Sequence, residues 1–231
     1  GGKNAIIVDE DVDPDEAAAA IITSAFGYAG QKCSACSRVI ALPGIRSELE
    51  QRLSHRFAAM VVGDPLMPGT RMSALIDAAA VDKTLSAIAL GRREGLRLLA
   101  LRDLRAERHA QPDGAGRYAS AAIFTDVPVD SALFGEEIFG PVLCVTGVAD
   151  LDEALRAAHA TPYALTGGLY SQSPAALRKI RMSYEVGDLY LNRAITGALV
   201  GRQPFGGLRH SGLGAKAGGP DYLGQFTEYR R

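Results

Sequence analysis

At 231 residues and a formal net charge of -1, the chain can form one large domain or two small ones, and it is too evenly charged to be built around nucleic acid or an anionic membrane surface. Hydrophobic residues make up 47% and charged residues 22%, an ordinary globular balance, and no apolar run reaches the roughly 18 residues that a membrane span needs. The three cysteines, Cys33, Cys36 and Cys144, are too few for a disulfide framework and point to a reducing, cytoplasmic setting.

In chain order, Asn4–Asp9 reads as a short buried strand. Asp13 suits a helix N-cap, Pro14 the first helical position and Glu16 the capping-box partner of a helix reaching Phe26. That helix is apolar on nearly every face and is expected to be buried, with Gly27 and Gly30 ending it. A loop over Gly30–Cys36 leads to a strand at Arg38–Leu42, and Arg46–Met60 reads as an amphipathic helix. Asp77–Arg92 follows as a helix and Leu96–Leu101 as a strand, with an exposed loop or edge hairpin over Leu104–Gly116. Strands at Tyr118–Thr125, Val142–Val148, Thr166–Ser171 and Asp188–Asn192 alternate with helices at Leu151–Ala160 and Ala175–Tyr184. The alternation predicts an α/β domain with a largely parallel sheet flanked by helices. Thr196–Gly219 is rich in glycine and reads as a functional loop system, and Gly214–Gly219 could let the last segment leave the body.

The chemistry starts at Gly30-Gln31-Lys32-Cys33-Ser34-Ala35-Cys36. A cysteine after a buried helix is most often a small core hydrophobe. Two cysteines two residues apart can be a redox pair or half of a zinc site, but His55, His109, His159 and His210 are scattered and supply no second pair at ligand spacing. What sets Cys33 apart is Lys32 beside it and the glycine-flanked loop that exposes it, since both favour a thiolate.

Phe26–Ala35, with Cys33 at the nucleophile position, resembles the active segment of aldehyde dehydrogenases. Glu136-Glu137-Ile138-Phe139-Gly140-Pro141 resembles a second motif of that family, and Asn192, Pro204-Phe205-Gly206-Gly207 and Ser211-Gly212 a third. Within the family, Cys33–Arg38, Thr196–Gly201, Gln203–Gly207 and Lys216–Pro220 are most similar to the 1-pyrroline-5-carboxylate (glutamate-semialdehyde) dehydrogenases, a module that also forms part of bifunctional proline utilization A enzymes.

The resemblance implies a thiolate that adds to an aldehyde, a hydride passed to NAD or NADP, and water that releases the acid. It makes Cys33 the nucleophile, puts Glu137 and Phe139 on the nicotinamide ribose, and makes Gly197 and Ala198 the anchor for the substrate's α-carboxylate. Ser34 would add a hydroxyl, and Phe205 would pack on the substrate's methylenes. Without the motifs, Glu137 reads as a solvated carboxylate, Phe139 as a core aromatic and the glycines as turn formers. The resemblance also implies that the family's general-base glutamate, oxyanion asparagine and dinucleotide-binding domain lie before Gly1. The chain is accordingly expected to be cut from something longer: a catalytic domain over 1–213 with its anchor loop, then 214–231 leading to an oligomerisation strand. A homo-oligomeric parent, with a proline dehydrogenase domain upstream as one possible arrangement, is expected. Two other readings stand beside this one, a non-catalytic module of the same fold and a dehydrogenase for another small aldehyde. Ala198, where some relatives carry Ser, leaves room for the second.

Overall fold

The computed structural model describes residues 1–104 and 117–228. The expected loop or hairpin at 104–116 falls outside them except for Leu104, which is buried. The first strand, β1 (Asn4–Val8), is buried at every position because parallel neighbours flank it on both sides and helices cover both faces.

The following helix α1 (Pro14–Phe26) begins where Asp13 accepts a hydrogen bond from the Asp15 amide at 2.8 Å. Among the described residues no bond returns from Glu16, so the cap is an Asx turn rather than a capping box. Gly27 follows the helix, but with φ -57° it does not use glycine's left-handed freedom. The chain turns instead through Tyr28 (φ 59°), Ala29 (φ 54°) and Gly30 (φ 72°). A side chain at Gly30 would fall 2.5 Å from the Gly140 carbonyl, so this is the position where only glycine fits.

Strand β2 (Cys36–Ala41) starts two residues before the expected Arg38. Helix α2 (Pro43–Ala58) starts three residues before the expected Arg46, because Pro43 suits the first helical turn. It lays Ile45, Leu49, Leu53 and Phe57, spaced by four, against the core. Then come α3 (Ala78–Arg93), β3 (Arg97–Arg102) and β4 (Ala121–Thr125), which is shorter than the sequence pattern predicts. A four-residue helix, α4 (Ala132–Gly135), precedes β5 (Val142–Gly147) and α5 (Leu151–His159). The chain closes with β6 (Tyr163–Ala164), β7 (Thr166–Tyr170), α6 (Pro174–Ser183), β8 (Asp188–Leu191) and β9 (Leu208–Arg209).

Seven strands form one sheet in the order β3-β4-β5-β2-β1-β7-β8, and β6 pairs with β9 in a small ribbon. Within the seven-stranded sheet all neighbours are parallel except the edge strand β3, which runs antiparallel to β4, and the β6–β9 ribbon is antiparallel. Helices α1 and α2 cover one face, while α5, α6 and α4 cover the other. Because the strands run the same way, β1, β2, β5, β7 and β8 all begin on one edge of the sheet. Every candidate site residue lies on a segment that enters or borders that amino edge.

Fully buried Arg38 ties the edge together. Its guanidinium donates to the Lys3 carbonyl and, at 3.0 Å each, to the carbonyls of Ala157 and Ala158 at the end of α5, and it stacks on the Phe134 ring at 4.7 Å. The two α5 carbonyls lie at a helix C-terminus, where the Ala160 amide also reaches that of Ala157, and the cation answers the negative end of the helix dipole.

Candidate active site

Cys33 sits on the loop between α1 and β2 and is solvent-exposed, whereas Cys36 and Cys144 are buried. Burial pushes the Cys36 thiol up to about 12 and raises that of Cys144 as well. All three are free thiols. Cys36 turns inward, its sulfur 3.3 Å from the Arg38 carbonyl. Among the described residues no group of three or more His, Cys, Asp or Glu could hold a metal.

The cysteine loop is held from behind by strand beginnings. The side-chain amide of buried Asn4 donates to the Cys33 and Ala35 carbonyls, both at 2.8 Å, while its oxygen accepts from the Thr166 amide at 3.0 Å. The Thr166 hydroxyl reaches the Ser34 carbonyl at 3.4 Å. Gly2 lies so close that a side chain there would fall 2.5 Å from the Cys33 carbonyl. The carbonyls of the loop thus face the protein, and among the described residues the Cys33 amide has no acceptor. Asn4 and Thr166 were not expected as site residues. The available signal was a polar residue at the start of an apolar strand, where a buried amide needs partners.

In front of the loop lies a cavity of about 620 Å³, lined by Cys33, Ser34, Gly197, Ala198 and Phe205 together with Gln31, Lys32, Leu199, Val200, Gln203, Ala217 and Gly218. The structure therefore brings five sequence-predicted residues to one pocket from segments more than 160 residues apart. The Leu199 amide is taken by the Gln203 side chain at 2.8 Å, but among the described residues the amides of Gly197 and Ala198 have no acceptor.

Glu137 and Phe139 are not in that pocket. They line a separate crevice behind the loop with Gly2, Gly30, Lys32 and Gly140. Glu137 is half-buried and one of its oxygens accepts from the Gly2 amide at 2.7 Å. Phe139 keeps 43% of its surface exposed on a left-handed turn (φ 59°), a conformation rare for an aromatic. Lys32 borders both pocket and crevice, and its ammonium lies 4.9 Å above the Tyr28 ring centre rather than over the thiol. A larger groove of about 920 Å³ runs between α1 and α2. It contains none of the five pocket residues, so the smaller cavity, which holds the thiol, is the candidate site.

A family model described as "Aldehyde dehydrogenase family" matches residues 1–231. A 1-pyrroline-5-carboxylate dehydrogenase of Geobacillus sp. (strain WCH70) is 43% identical over 223 residues, which are 96% of this chain and 42% of that protein. Among solved structures, 1-pyrroline-5-carboxylate dehydrogenase from Thermus with bound NAD is similar at 43% identity and a TM-score of 0.90, over 99% of this chain and 42% of that one. Proline utilization A from Bdellovibrio bacteriovorus is similar at 44% identity and the same TM-score of 0.90, over 99% of this chain and 23% of that one. The chain thus spans about 42% of the length of the curated relatives it matches.

Proposed function

Because the chain belongs to the aldehyde dehydrogenase family, we propose that it carries the thiol, the carboxylate anchor and the nicotinamide contacts of an NAD-dependent oxidation of glutamate γ-semialdehyde to glutamate. The observation that carries this reading is the meeting of an exposed Cys33 with the uncommitted amides of Gly197 and Ala198 in one cavity. An aldehyde bearing a carboxylate a few methylenes away needs a nucleophile at one end of its site and anion donors at the other. The pocket offers both, with Phe205 as an apolar part of its wall.

The Cys33 thiolate adds to the aldehyde carbon and makes it tetrahedral, and the former carbonyl oxygen takes the negative charge. Among the described residues the Cys33 amide has no acceptor and can donate to that oxygen, and a single such donor is worth roughly 2.7–4 kcal/mol in the transition state. Asn4 fixes the Cys33 and Ala35 carbonyls and so holds the loop that carries this amide. NAD, when bound, would supply the acceptor for the hydride on that carbon. The residues of the crevice fit its nicotinamide end: Phe139 offers an exposed ring, and one oxygen of Glu137 has no partner among the described residues and can take a ribose hydroxyl. Water then cleaves the Cys33 thioester with the help of a general base, which the family pattern would place upstream of Gly1. Exposed Leu213, Leu223 and Phe226 support packing of the tail on a further copy.

The test is NADH formation from glutamate semialdehyde by the protein that carries this sequence. Activity that vanishes in Cys33→Ala while NAD binding persists supports the reading. Full activity in Cys33→Ala refutes it.

A further inference from the structure

The pocket wall that carries Phe205 lies outside the main sheet. Phe205 and Ala217 exchange both backbone hydrogen bonds, at 2.9 and 3.0 Å, and form an isolated antiparallel bridge. Two paired residues alone do not hold a wall, so something behind them must.

Behind the bridge, outside the cavity, stand Asp188 at the start of β8 and Lys216. The Asp188 carboxylate accepts from the Gly206 amide at 3.2 Å, and its other oxygen lies 3.8 Å from the Lys216 ammonium. That ammonium also donates to the Gly187 carbonyl. The stem of Lys216 runs against Gly206, where an added side chain would lie 3.2 Å from its Cγ. Gly187 and Gly206 touch backbone to backbone, since a Cβ on Gly187 would fall 1.7 Å from the Gly206 carbonyl oxygen. No side chain can be inserted between these two glycines; the charged pair and two hydrogen bonds tie the segments here, while β9 anchors the residues that follow to β6. Lys216 thus grips β8 with its head and flanks the Phe205 bridge with its own backbone.

We propose that Asp188 and Lys216 are positioning residues that fix the Phe205–Ala217 wall and thereby set the affinity of the pocket for its carboxylate-bearing aldehyde. The inference rests on the reading of this pocket as the glutamate semialdehyde site. Neither residue lines the cavity, so each acts through the wall. The Lys216 side chain is 38% exposed but that of Asp188 only 12%, so the experiment has to separate a local effect on the wall from a general loss of stability.

The experiment uses the protein that carries this sequence with Lys216→Met, Lys216→Arg and Asp188→Asn. Lys216→Met keeps the stem and removes the charge. It should raise KM for glutamate semialdehyde about tenfold, the scale of one lost charge-assisted hydrogen bond, with kcat unchanged within about twofold. Lys216→Arg should restore most of the affinity, and Asp188→Asn, which keeps an acceptor for Gly206, should fall between. Hydrogen exchange of the Phe205 and Ala217 amides should speed up in Lys216→Met while the β1 and β2 amides keep their protection. That readout needs no activity: if the wild type fails to oxidise glutamate semialdehyde, the functional reading falls, and the exchange data still decide on the clamp. Unchanged exchange at Phe205 and Ala217 overturns the proposal. So does loss of protection throughout the sheet with a matching fall in kcat, because the lysine would then only support the fold.

Discussion

Asn4→Ala perturbs one buried side chain that makes three hydrogen bonds, two of them to the cysteine loop. The Cys33 carbonyl can turn to solvent, but the Ala35 carbonyl and the Thr166 amide are buried and would be left without partners. Each such orphan costs about 1–3 kcal/mol, so the variant should lose about 2–6 kcal/mol of unfolding free energy. That is a large share of the roughly 5–15 kcal/mol of an ordinary domain. The chain contains no tryptophan, so urea unfolding followed by far-UV circular dichroism is the suitable assay. Asn4→Asp should be worse than Asn4→Ala at neutral pH, since a carboxylate would face two carbonyl oxygens. It should recover in acid as the carboxyl takes up a proton and regains a donor. The folded Asn4→Ala protein should also alkylate differently at Cys33, because its loop has lost its rear attachment. A loss below about 1 kcal/mol, or an Asn4→Asp variant as stable as Asn4→Ala, would show that the loop does not hang on this side chain.

Brief iodoacetamide treatment followed by mass spectrometry should label Cys33 first, since Cys36 and Cys144 are buried and their thiols are raised by burial; modification of either with Cys33 untouched would contradict the assignment. Gly197 has φ +90° and open space around its missing side chain, so Gly197→Val acts through the backbone and must displace the loop; KM should rise strongly for glutamate semialdehyde and far less for propanal, and equal losses on both would argue against a carboxylate anchor. Burial lowers the ammonium of Lys3 to about 8, and among the described residues its Nζ has no hydrogen-bond partner. The unfolded chain then binds more protons between about pH 8 and the ordinary lysine value, so stability should rise with pH across that window; Lys3→Met should flatten the rise in pH-dependent urea melts, and an unaltered profile would remove Lys3 as its cause.

Periodicity made most of the sheet legible. Continuous apolar runs such as Ala5–Val8 are what central parallel strands require, and Asp13-Pro14 marked a helix start to the residue. The reversal of β3 was not legible, because an edge strand carries the same residue types whichever way it runs. The turn before Cys33 was misjudged in detail: glycine is the usual left-handed residue, yet Tyr28 and Ala29 take that conformation here and Gly27 does not. The site residues that face a ligand came from motifs. Arg38 and Lys216 also stand in motif stretches, but what they hold did not show there, and Asn4 and Asp188 came from no motif, since the partners lie 18 to 162 residues away along the chain.

The site's position on the amino edge has an electrostatic consequence. In a parallel sheet the crossover helices run back against the strands, so their positive N-termini gather at the carboxyl edge, where most α/β proteins bind anions. Here α1 delivers its C-terminus to the cysteine loop, and α5 ends beside Lys3 and Arg38. The half-charges that reach the site are therefore negative, and they oppose a thiolate, an oxyanion and a substrate carboxylate alike. Arg38 absorbs this opposition at α5 by donating to its last carbonyls. The last turn of α1 carries no basic residue of its own, and the strained Tyr28–Gly30 turn swings the chain off the helix axis before Cys33 is reached. An anion here must be held by single amides on loops, one at a time, which makes the site sensitive to small displacements of those loops and accounts for how firmly they are tied from behind.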